Sequence, residues 1–103
     1  MALFFMMGRY SSESLKGIAA RRTAEAVGLI EKLDGQVTAM YALLGPYDIM
    51  LVVNLPGIRE AMEASVGLAK ITGVQFTTCP AVTMERFDEM MEVDLRKYLA
   101  NEK

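Results

Sequence analysis

The sequence predicts a single α+β domain over 1–103: a four-stranded antiparallel sheet, two helices on one of its faces, and one further helix at the C-terminal side. Three observations carry this. Stretches with strand and helix patterning follow one another as β-α-β-β-α-β-α. Turn and stop signals fall between them, at Asp34-Gly35, Gly45-Pro46-Tyr47-Asp48 and Thr72-Gly73. The run Ile49 to Val53 has no polar residue, so it reads as a central strand covered on both faces.

The first strand spans Ala2 to Tyr10, with Leu3, Phe5 and Met7 on one face and Phe4 and Met6 on the other. Ser11-Ser12-Glu13-Ser14 is a helix start, because serine caps well and Glu13 suits the positive end of the helix dipole. One helix is expected from about Ser12 to Leu33, with Leu15, Ile18, Ala19, Ala26, Leu29, Ile30 and Leu33 as its apolar stripe. Arg22 falls inside that stripe. Asp34-Gly35 ends the helix, with Gly35 expected in the left-handed cap conformation.

Gln36 to Leu44 is the second strand, and the short Gly45 to Asp48 connection makes a hairpin with the third, which ends at Asn54-Leu55-Pro56. Pro56 fits the first turn of a helix over roughly Pro56 to Ile71, whose stripe reads Ile58, Ala61, Met62, Ser65, Leu68 and Ala69. Val74 to Met84 is the fourth strand, with Val74, Phe76 and Val82 on its more apolar side. Pro80 puts it at a sheet edge or a bulge, since proline donates nothing to a ladder. Met84 to Lys103 is an amphipathic helix with Phe87, Met90, Met91, Leu95 and Tyr98 on one face and Asp94 among them, ending in a frayed Asn101-Glu102-Lys103. The isolated Gly8, Gly17 and Gly28 carry no signal of their own.

The first six elements make the split βαβ, or ferredoxin-like, arrangement. Its right-handed crossovers place both helices on one face of the sheet. The other face then carries either Leu3/Phe5/Met7 or Phe4/Met6 together with half of Ile49 to Val53. So apolar a surface calls for a second copy packed sheet to sheet.

Composition narrows the function classes. A net charge of −2 and the lack of a basic patch speak against nucleic-acid binding. The lone Cys79 forms no intrachain disulfide, reads as a small buried hydrophobe and suits a reducing cytoplasm. The apolar Met1 to Met7 lacks a basic leader and is too short to span a membrane or act as a signal peptide. Histidine is absent, which removes the commonest metal ligand and general base, and no phosphate loop or dinucleotide fingerprint occurs. No cofactor is implied.

Gly45-Pro46-Tyr47-Asp48 followed by Ile49-Met50-Leu51-Val52-Val53 resembles the signature of the GYD domain family, named for its Gly-x-Tyr-Asp-like stretch. Arg22 matches an arginine typical of the family's first helix. Leu33-Asp34-Gly35-Gln36-Val37 resembles its Leu-Gly-Gly-x-Val, and Gly73-Val74 with the Thr-rich strand after it resembles its last block. The resemblance covers roughly Leu3 to Phe87. Asp34 in place of a glycine, Leu55-Pro56-Gly57 in place of a more acidic turn, and the longer helix after Met84 depart from the pattern. The resemblance implies a dimeric α/β barrel and no particular activity. Antibiotic-biosynthesis-type monooxygenases and the effector domains of leucine-responsive regulators are analogous in fold, which is a weak warrant for function.

Four residues are candidates for a ligand site: Arg22, Tyr47, Asp48 and Tyr41. Arg22 reads as a buried ion pair, with Asp48 or Asp94 as partner, as a side chain snorkelling around the helix edge, or as a clamp for a small anion between helix and sheet. Asp48 and the two tyrosines read as turn-former and packing groups, or as a site carboxylate and pocket hydroxyls. The expected function is a small homodimeric or higher homo-oligomeric module that binds a small anionic metabolite near Arg22. The alternatives are a cofactor-independent monooxygenase or isomerase acting on a small aromatic or lactone substrate, and a structural module without a pocket.

Overall fold

The computed structural model describes the backbone of residues 1–101 and the side chains of 1–92 and 99. The expectations for Asp94, Leu95, Tyr98 and the last three residues lie outside the described side chains. The elements are β1 (Ala2–Arg9), α1 (Ser12–Lys16), α2 (Ala20–Lys32), β2 (Gln36–Ala42), β3 (Ile49–Leu55), α3 (Ile58–Thr72), β4 (Gln75–Ala81) and α4 (Met84–Asn101). The four strands form one antiparallel sheet in the order β2-β3-β1-β4. This is the expected ferredoxin-like βαββαβ unit with one helix added. Pro80 lies on an edge strand, where its missing donor costs no ladder bond.

Register divides the sheet into two faces. Phe4 and Met6 of β1 and Leu51, Val53 and Leu55 of β3 point toward the helices and are buried. They form the core with Ala26 and Ile30 of α2 and Ala61, Ala64 and Leu68 of α3. Leu3, Phe5 and Met7 point the other way, next to Val52 and Met50 of β3 and to Cys79 of β4, and all of these are half-exposed. The β3 run is therefore covered by its own chain on one face only. Cys79, expected in the core, is half-buried on the open face.

The expected first helix is two helices. Ser11 caps α1: its hydroxyl accepts from Ser14 N–H at 3.0 Å while its own N–H donates to Ser14 Oγ at 2.6 Å. The helix stops at Gly17 after five residues, and α2 starts afresh at Ala20. Because the periodicity is interrupted, Leu15 and Ile18 leave the expected stripe and are exposed. At the end of α2, Asp34 rather than Gly35 takes the positive φ, 63°. Gly35 serves close approach instead, since a Cβ there would sit 2.6 Å from the Asn54 carbonyl oxygen.

The stripe of α3 also differs from expectation. Ala61, Ala64 and Leu68 are buried, whereas Ile58 and Met62 are exposed. The small side chains are inside because α2 and α3 pack closely: a Cβ on Gly67 would lie 2.7 Å from Leu29 Cδ2. The helix begins at Ile58 with Gly57 as its cap, so Pro56 precedes the first turn rather than lying in it. β4 ends at Ala81, so Val82 lies beyond the strand and is exposed. The β2–β3 hairpin forms as expected, with an irregularity between Val37 and Ala39.

Thr83 starts α4, accepting from Arg86 N–H on its hydroxyl at 3.1 Å and from Phe87 N–H on its carbonyl at 2.9 Å. Among the described residues, α4 makes no extensive contact with another element of the chain. The molecule is elongated, 62 × 30 × 19 Å, with a radius of gyration of 17.1 Å, against about 13 Å for a compact domain of this length.

Candidate functional site

The break between α1 and α2 positions Arg22. One nitrogen, Nη1, donates to Ser14 O at 2.6 Å and to Thr72 O at 3.3 Å. These carbonyls lie in the single turn of α1, where Ser14 O also accepts from Gly17 N–H at 3.2 Å, and at the C-terminal end of α3, where the helix dipole is negative. Thr72 is held in turn: its hydroxyl donates to Leu68 O at 2.7 Å and accepts from Val74 N–H at 3.0 Å. Gly17 is part of the arrangement, since a Cβ there would come within 2.8 Å of Arg22 Nη1. The charge is thus matched by peptide dipoles. Among the described residues, no carboxylate forms an ion pair with it.

The ring of Tyr10 completes the group, with the Arg22 guanidinium carbon 5.7 Å from its centroid. Tyr10 also connects Arg22 to Asp48. The Asp48 carboxylate accepts from Tyr10 N–H at 2.9 Å, its N–H donates to Gly8 O at 2.9 Å, and its carbonyl accepts from Leu43 N–H at 2.8 Å. Asp48 therefore locks the hairpin turn to the exit of β1. Tyr47, beside it, has Arg9 over its ring at 5.7 Å. Tyr41 lies elsewhere, opposite Met50 on the open face of the sheet, and is exposed. Arg22, Asp48 and Tyr47 gather around Tyr10, and Tyr41 does not join them. Sequence reading passes over Tyr10 because it looks like the last residue of an apolar strand. Its one signal is an aromatic directly after Arg9, where a strand leaves the sheet.

Two spaces adjoin this group. A small cavity of about 40 Å³ lies between α2 and the sheet, with Arg22 and Tyr10 on its wall and Ala26, Met40, Leu51 and Phe76 as apolar lining. An open cleft of about 890 Å³ lies beside α3 and β4, lined by Arg9, Tyr47 and the hydroxyl-bearing Ser11, Ser65 and Thr77. Tyr10 and Phe76 border both, so they form the partition between cleft and cavity. Among the described residues, no group of three or more acidic, cysteine or histidine side chains is placed to hold a metal ion, and no helix is long and apolar enough to cross a membrane.

Fold and site together define a small ferredoxin-like domain with an arginine-bearing pocket under its helices and an uncovered sheet face. The sequence pattern of the GYD domain matches residues 4–91, and the chain belongs to the GYD domain family. Among solved structures, the chain is similar to the crystal structure of the Mycobacterium tuberculosis leucine response regulatory protein LrpA, with a TM-score of 0.54 and 11% identity. The likeness covers 80% of this chain and 51% of that one, so the chain spans about half of LrpA, and at this identity what is shared is the fold. No curated protein matches the sequence.

Proposed function

We propose that the protein is a homo-oligomeric binding module, in its simplest form a dimer, that takes a small anionic metabolite at Arg22. The observation that carries this is the position of the guanidinium, hydrogen-bonded to peptide carbonyls on the wall of a mainly apolar cavity that Tyr10, Thr23 and Thr72 also line. A cavity of about 40 Å³ holds two or three waters or the head of a carboxylate. The remainder of a ligand would extend past Tyr10 and Phe76 into the cleft, where Arg9 and the hydroxyls offer further polar contacts. The oligomer is supported by the half-exposed apolar residues of the open sheet face. The free thiol of Cys79 suits a reducing compartment such as the cytoplasm.

Thermal unfolding with a panel of small carboxylates and phosphates tests the site. A ligand at ten times its Kd adds about 1.4 kcal/mol, a rise of roughly 5–10 °C for a domain this size. The rise is expected for the native chain and not for Arg22→Ala. If no anion shifts the native chain, the reading fails and the pocket-free structural module stands. The enzyme alternative would have to place an aromatic ring in the open cleft, since the cavity of about 40 Å³ is far smaller than the roughly 150 Å³ cavity that binds benzene.

A further inference from the structure

We propose that the cleft beside β4 is shared between two copies of the chain, with the partner's Tyr41 forming the wall that the chain itself lacks. This rests on the sheet-to-sheet dimer proposed above and assigns its geometry. Among the residues that line the cleft, Phe76 falls in the helix-facing set of β4, whereas Gln75 and Thr77 alternate with it and fall on the open face. The cleft thus runs round the free edge of β4 and opens onto the surface that a second copy would cover.

Register puts Tyr41 level with that opening. Tyr41 pairs with Met50, Met50 with Met7, and Met7 with Thr77, so one row crosses the open face from β2 at one edge to β4 at the other. The next open-face row reads Ala39, Val52, Phe5 and Cys79 in the same order. Within one chain Tyr41 and Thr77 stand three strand spacings apart, about 14 Å, and do not meet. A two-fold axis parallel to the strands keeps each row at its own level and reverses its direction. Tyr41 then lies over the partner's Thr77, Met50 over the partner's Met7, and Val52 over the partner's Phe5.

Three observations favour this arrangement. Tyrosine meets threonine and phenylalanine meets valine, large on small, which lets two faces ~10 Å apart interdigitate. An axis across the strands would set Phe5 on its own copy and Ala39 on its own copy, a clash beside a void. The angle of about 30° usual between stacked sheets displaces their edges by only about 4 Å, roughly one residue, which a tyrosine side chain spans. The area is also there. The chain exposes 7305 Å², where a compact monomer of 11.4 kDa exposes about 5,800 Å², and each partner in a standard interface contributes ~800 Å². Tyr41, more than half exposed in the single chain, then adds a phenol and an aromatic face to the hydroxyls of Ser65 and Thr77 in the partner's cleft.

Crosslinking of the full chain decides it, with no anion present, so the outcome is separate from the Arg22 test. Two preparations in a Cys79→Ser background, one with Tyr41→Cys and one with Thr77→Cys, are refolded together so that subunits exchange, then treated with a short bismaleimide. A mixed covalent pair is expected, and little product from either preparation alone, because equivalent edges lie on opposite sides of the axis. A second mixture leaves Tyr41 intact: Ala39→Cys in the Cys79→Ser background with the native chain, whose Cys79 lies in the same row as Ala39, is expected to pair as well. Sedimentation of Tyr41→Ala is expected to show a rise of about 10-fold in the dimer Kd. Product from Tyr41→Cys alone, without the mixed pairs, means that each edge covers its own copy and overturns the proposal. A dimer that gives neither mixed pair overturns it and leaves the dimer reading standing. A native chain that sediments as a monomer at micromolar concentration overturns both.

Discussion

The two faces of the sheet differ little in side-chain chemistry and greatly in environment. On β1, Phe4 and Met6 are 1% and 0% exposed beneath the helices, while Leu3, Phe5 and Met7, equally apolar, are half-exposed on the reverse. On β3, Leu51 and Val53 are buried and Met50 and Val52 are not. Alternation along a strand distinguishes a covered face from a solvated one only when the solvated residues are polar. Here both sets are apolar, so topology, by placing both crossovers on one side, decides which set the chain covers itself. The remaining set is left half-exposed.

Four substitutions sharpen this contrast. Leu51→Ala, on the covered face, opens a cavity in the core and is expected to cost about 2–5 kcal/mol by urea unfolding. A loss below 1 kcal/mol would mean that the face is loosely packed. Val52→Lys, one residue along and on the open face, is expected to leave far-UV dichroism unchanged and raise the dimer Kd by about 100-fold in sedimentation equilibrium, as a charge opposed to an apolar partner does. If its dimer is as tight as the native one, the open face is not the interface. Gly8→Ala puts a Cβ 2.5 Å from Val74 Cγ1 beneath the helices and is expected to destabilise by about 1–3 kcal/mol. Asp48→Ala removes the acceptor of Tyr10 N–H from a side chain on neither face. It is expected to cost about 1 kcal/mol and to leave assembly intact, which unfolding and sedimentation together would check.

Most of the fold is legible in the sequence because its punctuation is local. Ser11 caps, Gly73 takes the left-handed conformation, and Gly45 to Asp48 reverses the chain, each for reasons contained within a few residues. What escapes the sequence depends on distant partners. The apolar spacing of Leu15 and Ile18 continues into α2 as if one helix ran through, and it is Arg22, bonded back to Ser14 and across to Thr72, that holds the break in place. On α3 two stripes compete, and a contact with Leu29 selects the one with small side chains. Arg22 itself is legible as a charge inside an apolar pattern, although that pattern assumed a continuous helix. Its neighbour Tyr10 is not, because its role comes from the turn at Asp48, 38 residues away.

The same tie has a thermodynamic consequence. An anion that engages Arg22 through Nη1 competes with the ends of two helices for that nitrogen's donors, so occupancy in that geometry and the order of the α1–α2 junction form one coupled equilibrium. A bound state that draws Nη1 away releases Ser14 O and Thr72 O together. It would be read as faster amide exchange just after Gly17 and Thr72, some distance from the ligand, and measured affinity would be the intrinsic affinity reduced by the cost of undoing that tie.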